Sequence, residues 1–190
     1  DVMPPQKALM PKKTILCYGS SITHGSLSLG SPYSYPFRLS QRLKCDYINY
    51  GFAGCAFIEK ELASYIIRRK DWDFATFEIG INMLSEELFT VTAFEERISE
   101  FLGILKQDQR NKFVTSIYGF LGAWQGKADK YRSIVEQYAK PPFIFTDGLE
   151  FLNNPAYISQ DMVHPSLEGM EEITNKWYDI ISRDSIIEND

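Results

Sequence analysis

The sequence alternates between two hydrophobic periods, and this alternation restricts the fold more than any other feature. Five short β-branched or aromatic runs, Thr14–Tyr18, Asp46–Tyr50, Phe74–Ile79, Lys112–Tyr118 and Phe143–Thr146, have the composition of strands. Segments with apolar residues at helical spacing separate them. Phe37, Leu39 and Leu43 mark a first helix, and Ile58, Leu62, Tyr65 and Ile66 a second. Phe94, Ile98, Phe101, Leu102 and Leu105 form the clearest stripe, in a helix for which Thr92 is the expected cap. Ile134, Val135 and Tyr138 mark a fourth helix. Met170, Ile173, Trp177, Ile180 and Ile181 mark a last one, entered at Pro165–Ser166. Such alternation predicts a mostly parallel sheet with helices on both faces.

At 190 residues the chain can bury one substantial core and is short for two. Residues 1–13 read as an extension before the first strand, and 14–185 as a single domain. The extension, DVMPPQKALMPKK, lacks the apolar middle of a signal peptide. No apolar run approaches the roughly 20 residues of a membrane span. A net charge of −5 argues against nucleic acid as a main partner, and Arg68-Arg69-Lys70 reads as a solvated helix end. Cys17, Cys45 and Cys55 are odd in number and form no C-x-x-C pair. They fit a reducing compartment such as the cytoplasm slightly better than a secreted protein without disulfides. Neither compartment nor oligomeric state is assigned by these features.

In parallel α/β sheets ligands bind outside the carboxyl ends of the strands. Four short motifs fall on that edge: Gly19-Ser20-Ser21-Ile22-Thr23, Gly51-Phe52-Ala53-Gly54, Gly80-Ile81-Asn82 and Asp161-Met162-Val163-His164-Pro165. Together they offer what acyl transfer needs: a hydroxyl nucleophile, oxyanion donors and a carboxylate–imidazole pair. Ser21 and Ser20 are rival nucleophiles. His164 is the candidate base, and Asp161, three residues earlier, can reach the far nitrogen of its ring. Gly54, with Gly51 as the rival, and Asn82 are candidate oxyanion donors. His24 has no neighbouring carboxylate and reads as pocket rim or surface. Two histidines and scattered cysteines offer no metal-ligand spacing, so neither metal nor cofactor is expected. In the loop 119–126, Phe120, Leu121 and Trp124 either wall a substrate pocket or cover the core. A different reading makes the hydroxyl-rich loop Ser20–Gly25 a phosphate or flavin cradle on a flavodoxin-like sheet. That reading leaves the Asp161–His164 pair unexplained.

These four blocks, in this order, resemble the SGNH hydrolases, also called the GDSL esterase/lipase family. The resemblance spans residues 19 to 165 and implies a three-layer α/β/α sandwich with a flavodoxin-like sheet. It implies Ser21 rather than Ser20 as nucleophile, His164 as base, Asp161 as its orienting acid, and an oxyanion hole from Ser21 N–H, Gly54 N–H and the Asn82 amide. No cofactor is implied. The substrate would be a small-molecule ester, such as a short acyl ester, an acetylated sugar or a lysolipid. The same acyl-enzyme would also serve an acyltransferase, and a non-catalytic relative would bind a glycan or ester at the same site. Two departures stand out: Ser20 replaces the usual GDS aspartate, and Met83 the aspartate that often follows the asparagine. YGSSITHG, PYSYP and GINM are similar to bacterial members described broadly as esterases. His24, Met83, Phe120, Trp124 and Val163 are the candidates for the pocket wall.

Overall fold

The computed structural model describes residues 3–84, 88–119, 122 and 124–184. Five parallel strands, β1 (Thr14–Gly19), β2 (Asp46–Gly51), β3 (Phe74–Glu78), β4 (Asn111–Thr115) and β5 (Ile144–Thr146), form one sheet in the order β2-β1-β3-β4-β5. The chain leaves β1 toward β2 on one side and returns to β3 on the other. Neighbouring connections therefore diverge at the carboxyl ends of β1 and β3, which opens the crevice where such sheets take ligands.

Both faces of the sheet are covered, as period-two packing requires. Leu16, Tyr18, Ala75, Phe77 and Val114 point into one core, under α3 (Lys60–Arg68), α4 (Val91–Leu105) and α5 (Gln125–Tyr138). Ile15, Cys17, Phe74 and Phe113 point into the other, under α2 (Tyr35–Leu43) and α7 (Leu167–Arg183). Two short helical segments complete the fold: α1 (Ser21–His24), directly after β1, and α6 (Gly148–Phe151), after β5.

Several expectations are corrected. Thr90, not Thr92, caps α4: it is the last extended residue, and its hydroxyl accepts from Ala93 N–H at 3.1 Å. Tyr65 lies off the buried stripe of α3, 45% exposed, because its ring stacks on Tyr50 and its hydroxyl accepts from Arg69. β4 stops at Thr115 instead of running to Tyr118. Its neighbour β5 ends at Thr146, and past that point Ser116 Oγ accepts from Gly148 N–H at 2.9 Å.

The edge opposite the crevice is closed by charge. Arg110 lies 3.4 Å over the Trp72 ring and donates to the carbonyls of Ile67, Arg69 and Trp72. Asp108 binds its guanidinium at 2.6 Å, and Lys112 lies 3.4 Å from the same carboxylate. Burial would raise the Asp108 carboxyl, but the bonds from Arg110 and the Lys112 charge outweigh it and hold it at about 2.

Candidate active site

The turn after β1 begins the site. Ser20 is the N-cap of α1, in extended backbone, and its hydroxyl accepts from Ile22 N–H at 3.1 Å. That consumes Ser20 inside the turn, where it is 1% exposed. Ser21 is the first helical residue and stays half-buried at the surface. The rivalry between the two serines is thereby separated geometrically: one faces inward, the other the crevice.

Ser21 Oγ lies 2.7 Å from His164 Nε2, and His164 Nδ1 lies 2.5 Å from Asp161 Oδ2. The second oxygen of Asp161 accepts from Ser159 Oγ at 2.7 Å, His164 N–H at 2.9 Å and Val163 N–H at 3.0 Å. Burial alone would raise this carboxyl, yet those donors hold it well below the usual carboxylate range. An ionised Asp161 needs a donor at Nδ1. The ring is thus held in the tautomer that leaves Nε2 free to accept the Ser21 proton. Met162, between the pair, adopts φ 61°, which lets one carboxylate meet both backbone and ring. The loop is fastened at its base, where Ile158 and Pro165 form a bridge and Ser159 N–H donates to His164 C=O at 2.7 Å. Ser166 then caps α7.

The candidate oxyanion donors come from the loops after β2 and β3. Asn82 Oδ1 accepts from Ala56 N–H at 3.1 Å, which fixes the amide and leaves its N–H₂ group for another partner. Gly54 has φ +75° in open surroundings, and its N–H has no acceptor among the described residues. Gly51 has a different task. Its N–H already donates to Asn49 Oδ1 at 2.8 Å, and a Cβ there would lie 2.1 Å from the backbone nitrogen of His24. It lets β2 and α1 touch.

Other predicted pocket residues fall elsewhere. Met83 is fully buried in the core under α4 and α5, so its side chain lines no open pocket; its carbonyl accepts from Tyr131. An apolar side chain at that place packs inward where an aspartate would be driven out. His24 ends α1 exposed, and its ring has no hydrogen-bond partner among the described residues. Val163 is half-buried and serves through its N–H. Trp124 precedes α5 and is 44% exposed, while Phe120 and Leu121 lie outside the described residues. A cavity of about 200 Å³ opens on the same edge of the sheet, lined by Gln125, Asp129, Arg132, Asn153 and Ile158 among others. Ser159 and Glu78 were missed from sequence. A glutamate inside the apolar run Phe74–Ile79 was the available signal for Glu78.

The loop does not suit a phosphate. Ser20 and Thr23 both turn their hydroxyls onto the buried Glu78 carboxyl instead of toward a ligand.

Comparisons with known proteins give a family from the sequence and a shared fold from solved structures. The model of the GDSL-like lipase/acylhydrolase family matches residues 12–115, just over half the chain. A search of curated protein sequences finds no significant match. Among solved structures, a protein described as a GDSL-like lipase from Bacteroides ovatus superposes with a TM-score of 0.77 at 22% identity, covering 93% of this chain and 55% of that one. A salicylyl-acyltransferase from a tetracycline biosynthetic pathway gives 0.75 at 16% identity, covering 92% and 55%. An acetylxylan esterase from Geobacillus stearothermophilus gives 0.70 at 20% identity, covering 91% and 95%. The chain thus spans little more than half the length of the first two.

Proposed function

Because the chain belongs to the GDSL-like lipase/acylhydrolase family, a family of carboxylic ester hydrolases, we propose that it cleaves small-molecule esters through an acyl-enzyme on Ser21. The observation that carries this reading is the continuous line from Ser21 Oγ through His164 to Asp161, with contacts of 2.7 and 2.5 Å. Ser21 Oγ attacks the acyl carbon while His164 Nε2 takes its proton. Asp161 stabilises the resulting imidazolium at Nδ1. The developing oxyanion is met by the Ser21 and Gly54 N–H groups and the Asn82 amide. As the tetrahedral intermediate collapses, His164 gives its proton to the leaving alkoxide. It then deprotonates a water that attacks the acyl carbon, and returns that proton to Ser21 Oγ as the acyl–oxygen bond breaks and the carboxylic acid leaves.

The substrate class we propose is a short acyl ester or an acetylated carbohydrate. Support comes from the openness of the site: the His164 and Asp161 side chains are 20% and 38% exposed, and Gly54 is exposed. The nearby cavity sets Asp129, Arg132 and Asn153 beside Leu149, Pro155 and Ile158, and Ile158 is bridged to Pro165, next to His164. At about 200 Å³ the cavity is small for a long acyl chain, and a hydroxylated substrate meets polar side chains in its wall.

Steady-state assays on p-nitrophenyl esters of increasing chain length test both points. Ser21→Ala and His164→Ala should each lose several orders of magnitude in kcat. Near wild-type turnover in either variant overturns the assignment, and a preference for octanoate over acetate overturns the substrate class. Added acceptor alcohols measure how the acyl group divides between water and transfer, since an exposed acyl-enzyme admits both.

A further inference from the structure

Beneath the nucleophile turn lies a carboxyl group that this mechanism does not use. Glu78 ends β3, a strand buried at every position, and is itself 1% exposed. Three donors converge on its Oε2: Ser20 N–H at 2.7 Å, Ser20 Oγ at 2.8 Å and Thr23 Oγ1 at 3.2 Å. Thr23 is tied in turn to the hydroxyl of buried Tyr35 at 2.7 Å. Gly19 makes the approach feasible, because a Cβ there would lie 2.5 Å from that same oxygen. The other oxygen, Oε1, is buried with no hydrogen-bond partner among the described residues.

A fold indifferent to this group would be better served by an apolar side chain. Burying a carboxyl with one oxygen unpaired is destabilising, and burial pushes Glu78 above the ordinary carboxylate range. Groups kept against stability cluster where function needs them. Here the position is specific. Gripping both the N–H and the hydroxyl of Ser20 fixes the residue directly before Ser21, and hence the direction of the Ser21 side chain and N–H. Position 20 itself carries no carboxyl.

We propose that Glu78 is a positioning residue for the nucleophile: acting through Ser20, it holds the Ser21 hydroxyl on the line to His164. The carboxyl that position 20 lacks is supplied from β3. The proposal rests on the reading of Ser21 as nucleophile.

Glu78→Gln tests it, since glutamine keeps an acceptor oxygen and the shape but removes the carboxyl group. The readouts are kcat and KM on p-nitrophenyl acetate, the rate of Ser21 labelling by a fluorophosphonate, and the melting temperature. Three donors meet on one carboxyl oxygen, and an amide in its place should loosen that grip, so kcat and labelling should each fall about ten-fold while KM stays within about two-fold. The melting temperature should hold or rise. Ser20→Ala, which keeps the N–H contact, should lose about three-fold in kcat. Labelling and kcat near wild type in Glu78→Gln overturn the proposal. So does a Glu78→Gln protein that melts well below wild type or fails to fold, because the carboxyl would then serve the fold. A wild-type protein not labelled at Ser21 overturns the nucleophile assignment itself, a failure distinguishable from the other two.

Discussion

Asn82 turns its side-chain carbonyl toward Ala56 N–H, 3.1 Å away, so the loops after β2 and β3 hold each other in place. One bond thus orients an amide from one loop and anchors the segment that carries Gly54 in the other. Replacing Asn82 by alanine should lower kcat by about two orders of magnitude, on the order of 3 kcal/mol, with little change in KM. Asn82→Asp keeps an acceptor for Ala56 but opposes the oxyanion with negative charge, and should be worse than alanine. Parallel kinetics on the two variants measure the difference.

Asp161→Asn keeps an oxygen for the three donors but can present an amide N–H₂ to His164 Nδ1. The ring would then place its proton on Nε2 and lose the ability to accept from Ser21. A loss of roughly 10²–10⁴-fold in kcat is expected, at nearly unchanged melting temperature. Steady-state turnover beside a thermal melt checks both halves.

Gly51 ends β2 and Gly54 lies three residues on in the following loop, and their alanine variants should differ in cost. Gly51→Ala places a methyl 2.1 Å from the His24 backbone nitrogen, and neither chain can yield cheaply. It should cost about 3 kcal/mol and displace α1, taking activity with it. Gly54→Ala meets nothing within 4 Å, and its cost is the φ of +75°, about 1 kcal/mol. Denaturant melts of the two variants give the comparison directly.

Asp108 predicts a pH dependence far from the site. Its carboxyl is held at about 2 in the folded chain, below the roughly 3.9 of an unfolded one. The folded state therefore binds fewer protons, and the stabilisation is fully present above the unfolded value. It is lost as pH falls through about 2. The melting-temperature penalty of Asp108→Asn should be largest near neutrality, shrink below about pH 4 and vanish toward pH 2.

How much was legible depended on whether the signal was local. The α4 stripe was read correctly at Phe94, Ile98, Phe101, Leu102 and Leu105, because a helix under a sheet buries one face at fixed period. The turn Asp161–His164 was legible because its partners are three residues apart. Parallel topology alone then brought it to Ser21. Glu78 was invisible for the opposite reason: its partners belong to another strand's turn, 58 residues earlier in the chain. Met83 was misplaced because a 3-10 turn at Ile81–Met83 sends neighbouring side chains to different layers, and three residues show no period. Tyr65 was misread because tyrosine covers an arginine at the surface as readily as it fills a core.

The long separation of Ser21 and His164 has a consequence for the life of the chain. The hydroxyl stands at the start of α1, directly after the first strand, while the imidazole is carried by the loop that enters α7, the helix packed against α2. Without that contact the Ser21 hydroxyl would have no base beside it and the reactivity of an ordinary alcohol. If Ser21 is the nucleophile, its reactivity toward a fluorophosphonate should report that the segment carrying His164 has docked beside it.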